Sequence, residues 1–233
     1  MRYLFCTFFK ILVCSTSFGQ YDTIIKSLVE TPSNCPQRLN GSFKKNKEIQ
    51  SGEKIEYYKF SKSKTDFCYY PKQANINCGY FRLFGKVFAL NDKFENNLSC
   101  DFDYGSFELY RYSLNKRNYL ILNAIRYGSG TTTRFVYCNL FDITNKDSII
   151  YYPLASIYGS GFSFGDYNND GRLDFLQIEY DKSSKSVDDF VMKMRTLNES
   201  NQVFDLVEGK YITFSRQYRN DNSFVILKTK TDW

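Results

Sequence analysis

Nine residues, Asp166-Tyr167-Asn168-Asn169-Asp170-Gly171-Arg172-Leu173-Asp174, hold the most specific chemistry in the chain. Oxygen-bearing side chains stand at the first, third, fifth and ninth positions, and a glycine at the sixth. Calcium is a hard cation that takes six to eight oxygens, and a loop spaced in this way can wrap them round one point. Asp166, Asn168, Asp170 and Asp174 are the expected side-chain ligands of a Ca2+ ion, and Arg172 is expected to contribute its backbone carbonyl. Gly171 supplies the bend, because a residue without a Cβ takes positive φ at little cost. Three aspartates in so short a stretch repel one another unless neutralised. That favours a bound ion over the alternative, an Asn/Asp/Gly turn that forms without metal. An ion in this setting orders a loop and does not by itself name a function.

The segments flanking the loop decide what kind of calcium loop it is. After Leu173, residues Leu176, Ile178 and Tyr180 fall on one face and Phe175, Gln177 and Glu179 on the other, which is the period of a strand. An EF-hand would continue as a helix and carry an acidic residue at position twelve, where this chain has Gln177. Phe164-Gly165-Asp166-Tyr167-Asn168-Asn169-Asp170-Gly171-Arg172-Leu173-Asp174-Phe175-Leu176 resembles the core of an FG-GAP or VCBS repeat. That family is shared by integrin α-subunit propellers and many secreted bacterial proteins. The resemblance implies a strand–loop–strand whose ligands are the Asp166, Asn168, Asp170 and Asp174 side chains and the Arg172 carbonyl. The family strings several repeats into a propeller of at least four blades, whereas this chain carries one full copy. The segment 101–108, Asp101-Phe102-Asp103-Tyr104-Gly105-Ser106-Phe107-Glu108, runs D-x-D-x-G-x-x-E without the position-five carboxylate. It reads as an acidic hairpin turn ahead of a degenerate repeat.

The amino-terminal residues point to export. Arg2 precedes an apolar run from Tyr3 to Phe9, Lys10 interrupts it, and Ile11-Leu12-Val13 and a small-residue stretch from Cys14 to Gly19 follow. Ser17-Phe18-Gly19 before Gln20 fits a small-x-small cleavage site, so residues 1–19 are expected to be a removable signal peptide. The run is too short to span a bilayer, and no later segment is long enough for a transmembrane span. A lipid anchor at Cys14 ranks behind cleavage, because branched Val13 stands where a lipoprotein box takes a small residue. The expected localisation is secreted or periplasmic.

The formal net charge of +6 falls to +4 without the leader, because two basic and no acidic residues leave with it. The excess is local. From Arg38 to Lys64 the basic residues outnumber Glu48, Glu53 and Glu56, and Lys44-Lys45-Asn46-Lys47 is the densest run. In an exported protein this reads as a solvated basic loop rather than a nucleic-acid patch, so no nucleic-acid partner is expected. Beyond the leader lie Cys35, Cys68, Cys78, Cys100 and Cys138, an odd number in an oxidising compartment. The Cys68–Cys78 pair is the expected disulfide bond, since Pro71 and an Asn/Gln-rich loop lie between them. The alternative is five reduced, buried thiols.

Gly79–Leu90, Phe107–Leu114, Tyr119–Arg126, Arg134–Ile143, the Phe190–Arg195 alternation, Tyr211–Phe214 and Phe224–Leu227 are expected strands. Gly128-Ser129-Gly130, Gly209 and Asn220-Asp221-Asn222 are expected turns. Tyr119–Ile125 is apolar at nearly every position, as in a strand buried on both faces. Helical periodicity is confined to Tyr21–Val29. With 20 Tyr and 22 Phe against one Trp, aromatic rings must fill much of the core. The expected fold is mainly β, with antiparallel sheets in a propeller-like or sandwich-like arrangement. It is a single domain holding the calcium-binding strand–loop–strand, with residues 20–68 a polar lead-in and 69–233 the β-rich body.

The chain contains no histidine. That excludes Ser-His-Asp and Cys-His nucleophiles, imidazole metal sites and histidine acid–base chemistry. No phosphate loop or dinucleotide fingerprint occurs. The reading is a non-catalytic binding or structural module, with a protein or glycan partner that it docks or neutralises at the cell envelope. The alternative is an extracellular carbohydrate-active enzyme using paired carboxylates; pairs such as Asp188/Asp189 or Asp101/Asp103 cannot straddle a substrate merely by being adjacent and read as turn or surface residues.

Overall fold

Runs of aromatic and β-branched residues become antiparallel strands almost wherever the sequence places them. The structure is a computed structural model that describes residues 16–61, 65–73, 76, 78–90, 102–127, 134–218 and 224–232. Its strands form three five-stranded sheets with neighbour orders β2-β3-β4-β5-β6, β1-β7-β8-β9-β10 and β11-β12-β13-β14-β15. Their ranges are β1 (Gln37–Arg38), β2 (Phe43–Gln50), β3 (Glu53–Phe60), β4 (Phe67–Tyr70), β5 (Tyr80–Leu83), β6 (Lys86–Ala89), β7 (Asp103–Leu114), β8 (Arg117–Tyr127), β9 (Arg134–Asp142), β10 (Ile150–Ser156), β11 (Phe164–Gly165), β12 (Asp174–Tyr180), β13 (Asp189–Asn198), β14 (Val203–Tyr218) and β15 (Phe224–Thr231). One α-helix is described, α1 (Thr16–Leu28), and no described helix is long and apolar enough to cross a membrane. The described residues divide into two compact units. One takes residues up to 35, 158–197 and those from 204 onward; the other takes residues 36–157 and 198–203.

The unit around residues 36–157 contains the β2–β6 meander and the sheet of β1 and β7–β10. Strand alternation aims Tyr58, Phe60, Phe67, Tyr69, Phe81 and Leu83 from the first sheet into one core with Leu109, Leu120, Leu122, Tyr137 and Phe141 from the second. Phe67 and Phe81 each meet the Phe141 ring edge-on, at 5.6 and 5.8 Å between centroids, the geometry that ring quadrupoles favour. Residues Tyr119–Ile125 of β8 are buried throughout. The opposite face of the β2–β6 sheet carries a stack of Tyr57, Tyr70 and Tyr80.

The structure departs from several local expectations. Lys44-Lys45-Asn46-Lys47 is not a loop: it lies in β2, which pairs with β3 in a hairpin, and Lys45 and Lys47 both reach Glu56. Cross-strand ion pairing and half-buried Phe43, packed against the core, stabilise a segment that composition alone makes look loose. Gly79–Leu90 is two strands, because Phe84 and Gly85 both adopt positive φ and turn the chain back. Gly209, with φ of 70°, lies inside β14 and does not end it. Cys68 carries a free thiol, as do Cys35 and Cys138, so the Cys68–Cys78 bridge does not form. β4 and β5 place Cys68 in register with Arg82 rather than beside Cys78. The expected turns at 128–130 and 220–222 lie outside the described residues.

The other unit is built on the β11–β15 sheet and α1. Ile24, Ile25, Leu28 and Val29 are buried while Lys26 and Ser27 are exposed. This is the stripe of an amphipathic helix, and α1 starts at Thr16, before Tyr21, the first residue of the expected helical pattern. Phe164, Phe175, Leu176, Ile178, Phe190, Met192, Met194 and Phe214 are buried in the same unit. Residues 190–195 alternate between buried and half-buried, as the Phe190–Met194 pattern requires.

Candidate functional site

The loop 166–174 joins β11 to β12, which pair antiparallel through Phe164 with Phe175 and Gly165 with Asp174. It is therefore a tight strand–loop–strand. The loop folds around the Asp166 carboxylate. Oδ1 accepts the Asp170 N–H at 3.0 Å, and Oδ2 accepts the Gly171 N–H at 3.0 Å. Asn168 Oδ1 accepts the same Asp170 N–H at 3.0 Å, while its amide donates to Asp170 Oδ2 at 3.0 Å. Two residues take left-handed backbone to close this curl, Asn169 with φ of 57° and Gly171 with φ of 81°. Both are among the residue types that tolerate it.

Asp166, Asn168 and Asp170 are thus brought together on one stretch of backbone. Asp174 is placed differently. Its side chain is fully buried, accepts the Tyr167 N–H at 2.8 Å, and accepts the Thr196 hydroxyl from β13, whose backbone is in register with it. Burial pushes the Asp174 pKa up, against the opposing pull of those two bonds. The Arg172 guanidinium, rather than remaining a bystander, donates through Nε at 2.9 Å and through a terminal nitrogen at 2.6 Å to Asp170 Oδ2. Partial burial acts to raise the Asp170 pKa, but the bonds from Arg172 and Asn168 outweigh it and hold the carboxyl below its ordinary range. Among the described residues no three His, Cys, Asp or Glu side chains group as a metal cage. The donor chemistry of the loop nevertheless fits calcium. All its side-chain donors are hard oxygens, and each Asp166 oxygen accepts a single N–H and keeps a lone pair.

Upstream, a short 3-10 turn (Gly161–Ser163) fixes the entry to β11. The Ser160 hydroxyl accepts the Phe162 N–H while the Ser163 hydroxyl accepts the Ser160 N–H, a reciprocal cap. The Tyr167 hydroxyl donates to the Phe162 carbonyl, tying the second loop residue to that turn. A Cβ on Gly165 would come within 2.8 Å of Pro32 Cγ and 3.0 Å of Tyr167 Cε2, so the missing side chain lets both rings close over β11. Thr196 and Tyr167 were not singled out by type or spacing. Thr196 could have been found, since pairing the Phe190–Arg195 strand with the strand after the loop puts it opposite Asp174.

Beside this loop lies an open pocket of about 910 Å³ whose lining includes Lys26, Glu30, Tyr167, Ile212, Lys228 and Thr231. The adjacent Asp188 and Asp189 carboxylates have different partners. Asp188 is ion-paired to Arg216 at 2.6 Å, whereas Asp189 accepts hydroxyls from Ser184 and Ser215. In the segment 101–108, Asp101 lies outside the described residues and Asp103–Glu108 belong to β7, so that stretch is strand rather than turn. Buried Glu108 is held there by Arg38 at 2.7 Å. Comparison of the chain with protein-family models, curated proteins and solved structures finds no match.

Proposed function

We propose that this chain is an exported, β-rich, non-catalytic binding module in which one calcium ion of the FG-GAP/VCBS type orders the loop 166–174. The observation that carries the reading is the curl of that loop around Asp166, with two left-handed residues and an antiparallel strand pair clamping its ends. Asp166, Asn168 and Asp170 would hold the ion, joined by Asp174 and the Arg172 carbonyl. The ion would supply the positive charge that Arg172 now lends to Asp170, so binding has to release that guanidinium. Asp174, dry and hydrogen-bonded, anchors the loop end to β13.

Export rests on the composition of residues 1–19. The disulfide-bonded state of Cys78 supports an oxidising compartment. Cleavage ahead of Gln20 is favoured over a lipid anchor at Cys14. The partner is a protein or glycan met at the cell envelope, docked or neutralised by surface contact. Equilibrium dialysis of the exported protein against calcium tests the reading. One ion per chain should bind with a Kd of about 10⁻⁴–10⁻³ M. An absence of binding up to several-fold above that range would overturn it.

A further inference from the structure

The pocket beside the loop carries a charge pattern that the calcium reading does not use. Lys26 comes from the last turn of α1 and Lys228 from the exposed part of β15, and both line the same hollow. Neither is in an ion pair among the described residues. The Lys26 ammonium lies 4.0 Å from the centroid of the Phe162 ring, a cation–π contact that restrains the side chain while leaving its N–H donors available. One acid, Glu30, shares the lining, so two ammonium groups stand against a single carboxylate. Buried Leu28 and Ile212 add apolar atoms to the lining, and Thr231 adds a hydroxyl. Tyr167 contributes an aromatic wall, and Gly165 allows that ring to lie close over β11.

We infer that this pocket binds an acidic saccharide, a sugar unit bearing a carboxylate. The two ammonium groups that line the hollow supply the charge that attracts the carboxylate. Glu30 and Thr231 match ring hydroxyls, and the Tyr167 ring matches the C–H face of a pyranose, the apolar-plus-few-polar-groups pattern of small-ligand sites. Glu30 disfavours a compact dianion such as phosphate, to which it offers only repulsion, whereas a saccharide can donate hydroxyls to it. The volume exceeds that of one sugar ring and suits a short oligomer. This assignment rests on the reading of the chain as a binding module and is independent of its calcium loop.

The test is a calorimetric titration of the full exported chain with trigalacturonate in the presence of chelator, and with its methyl ester as the uncharged counterpart. Saturable binding of one trigalacturonate per chain is expected, with the ester at least about tenfold weaker. Lys26→Gln combined with Lys228→Gln should weaken binding by at least about tenfold, whereas Lys193→Gln, which removes a charge outside the pocket, should leave it unchanged. The inference is overturned if trigalacturonate fails to bind or if ester and acid bind alike. It is equally overturned if Lys193→Gln weakens binding as much as the double variant, or if inorganic phosphate at equal concentration displaces the probe. Appearance of new reducing ends during the titration would leave the pocket standing and overturn the non-catalytic reading. Binding here without any calcium uptake in dialysis would overturn the loop assignment alone.

Discussion

Substitution at Asp174 separates the packing of the loop from its metal chemistry. The carboxylate is fully buried, and it accepts the Tyr167 N–H and the Thr196 hydroxyl. Asp174→Ala strands two donors. Each buried donor left unsatisfied costs about 1–3 kcal/mol, and removing a buried charge returns part of that, so the net loss is about 2–4 kcal/mol. For a domain of this size the melting temperature should fall by about 5–15 °C. Asp174→Asn keeps an oxygen for Tyr167, and its amide can donate to the Thr196 hydroxyl, which accepts as well as donates. In chelator it should therefore cost less than about 1 kcal/mol. A pH series adds a sign test. Burial raises the folded-state pKa of Asp174, with the Thr196 and Tyr167 bonds opposing it. The folded protein then holds that proton more tightly than the unfolded chain, so the contribution of Asp174 favours folding at low pH and is lost as pH rises through the carboxylate range. Asp174→Asn has no such proton. The stability of the wild type relative to Asp174→Asn should therefore increase as pH falls from about 7 toward about 4 in chelator. Thermal melts followed by circular dichroism read both effects. Equal melting of the Ala and Asn variants, or a pH-independent difference between wild type and Asn, would refute the buried-carboxylate account.

Three further outcomes follow from the same reasoning. Mass spectrometry of the exported form should find residues 1–19 absent and Gln20 at the amino terminus; a retained leader would remove the basis for export. Without reductant, Cys35 should alkylate slowly in the native protein, because burial raises its thiol pKa despite nearby Lys26. Buried Cys68 and Cys138 should alkylate only on unfolding, and Cys78 only after reduction. Arg117→Met should destabilise by about 2–4 kcal/mol, because it leaves the nearly buried Asp142 carboxylate without its 2.9 Å partner; a matching Asp142→Asn change should recover most of that loss in a double-mutant cycle.

Strands were legible where one chemical signal dominated. β8 announced itself by continuous apolarity and β13 by the Phe190-Met192-Met194 alternation, because burial on two faces or one face imposes those patterns directly. The β2–β3 hairpin was obscured, since Lys45 and Lys47 gain their partner Glu56 only once the strands are paired, and pairing is not local. The split between β5 and β6 depends on Phe84 taking a left-handed conformation that its side chain disfavours, so tertiary context overrides propensity there. In the site, spacing identified the curl of Asp166, Asn168 and Asp170, which is short-range. It gave no hint that Arg172 would turn its guanidinium onto Asp170, or that Asp174 would be sealed behind Thr196, because both depend on solvent access and a distant strand. The pocket was illegible for the same reason. Lys26 and Lys228 are far apart along the chain, and only the fold of α1 and β15 brings them to one hollow.

The central claim, that calcium orders the loop 166–174, is tested most directly by thermal melts of wild type and Asp170→Ala in calcium, in magnesium and in chelator. With a Kd of about 10⁻⁴–10⁻³ M, about 1 mM calcium adds roughly 0.4–1.4 kcal/mol by mass action, a rise of a few degrees. Magnesium should give little, because it demands a tighter octahedron, and Asp170→Ala should lose the calcium response while keeping the strand pair. Identical wild-type melts in calcium and in chelator, or an undiminished calcium shift in Asp170→Ala, would contradict the account.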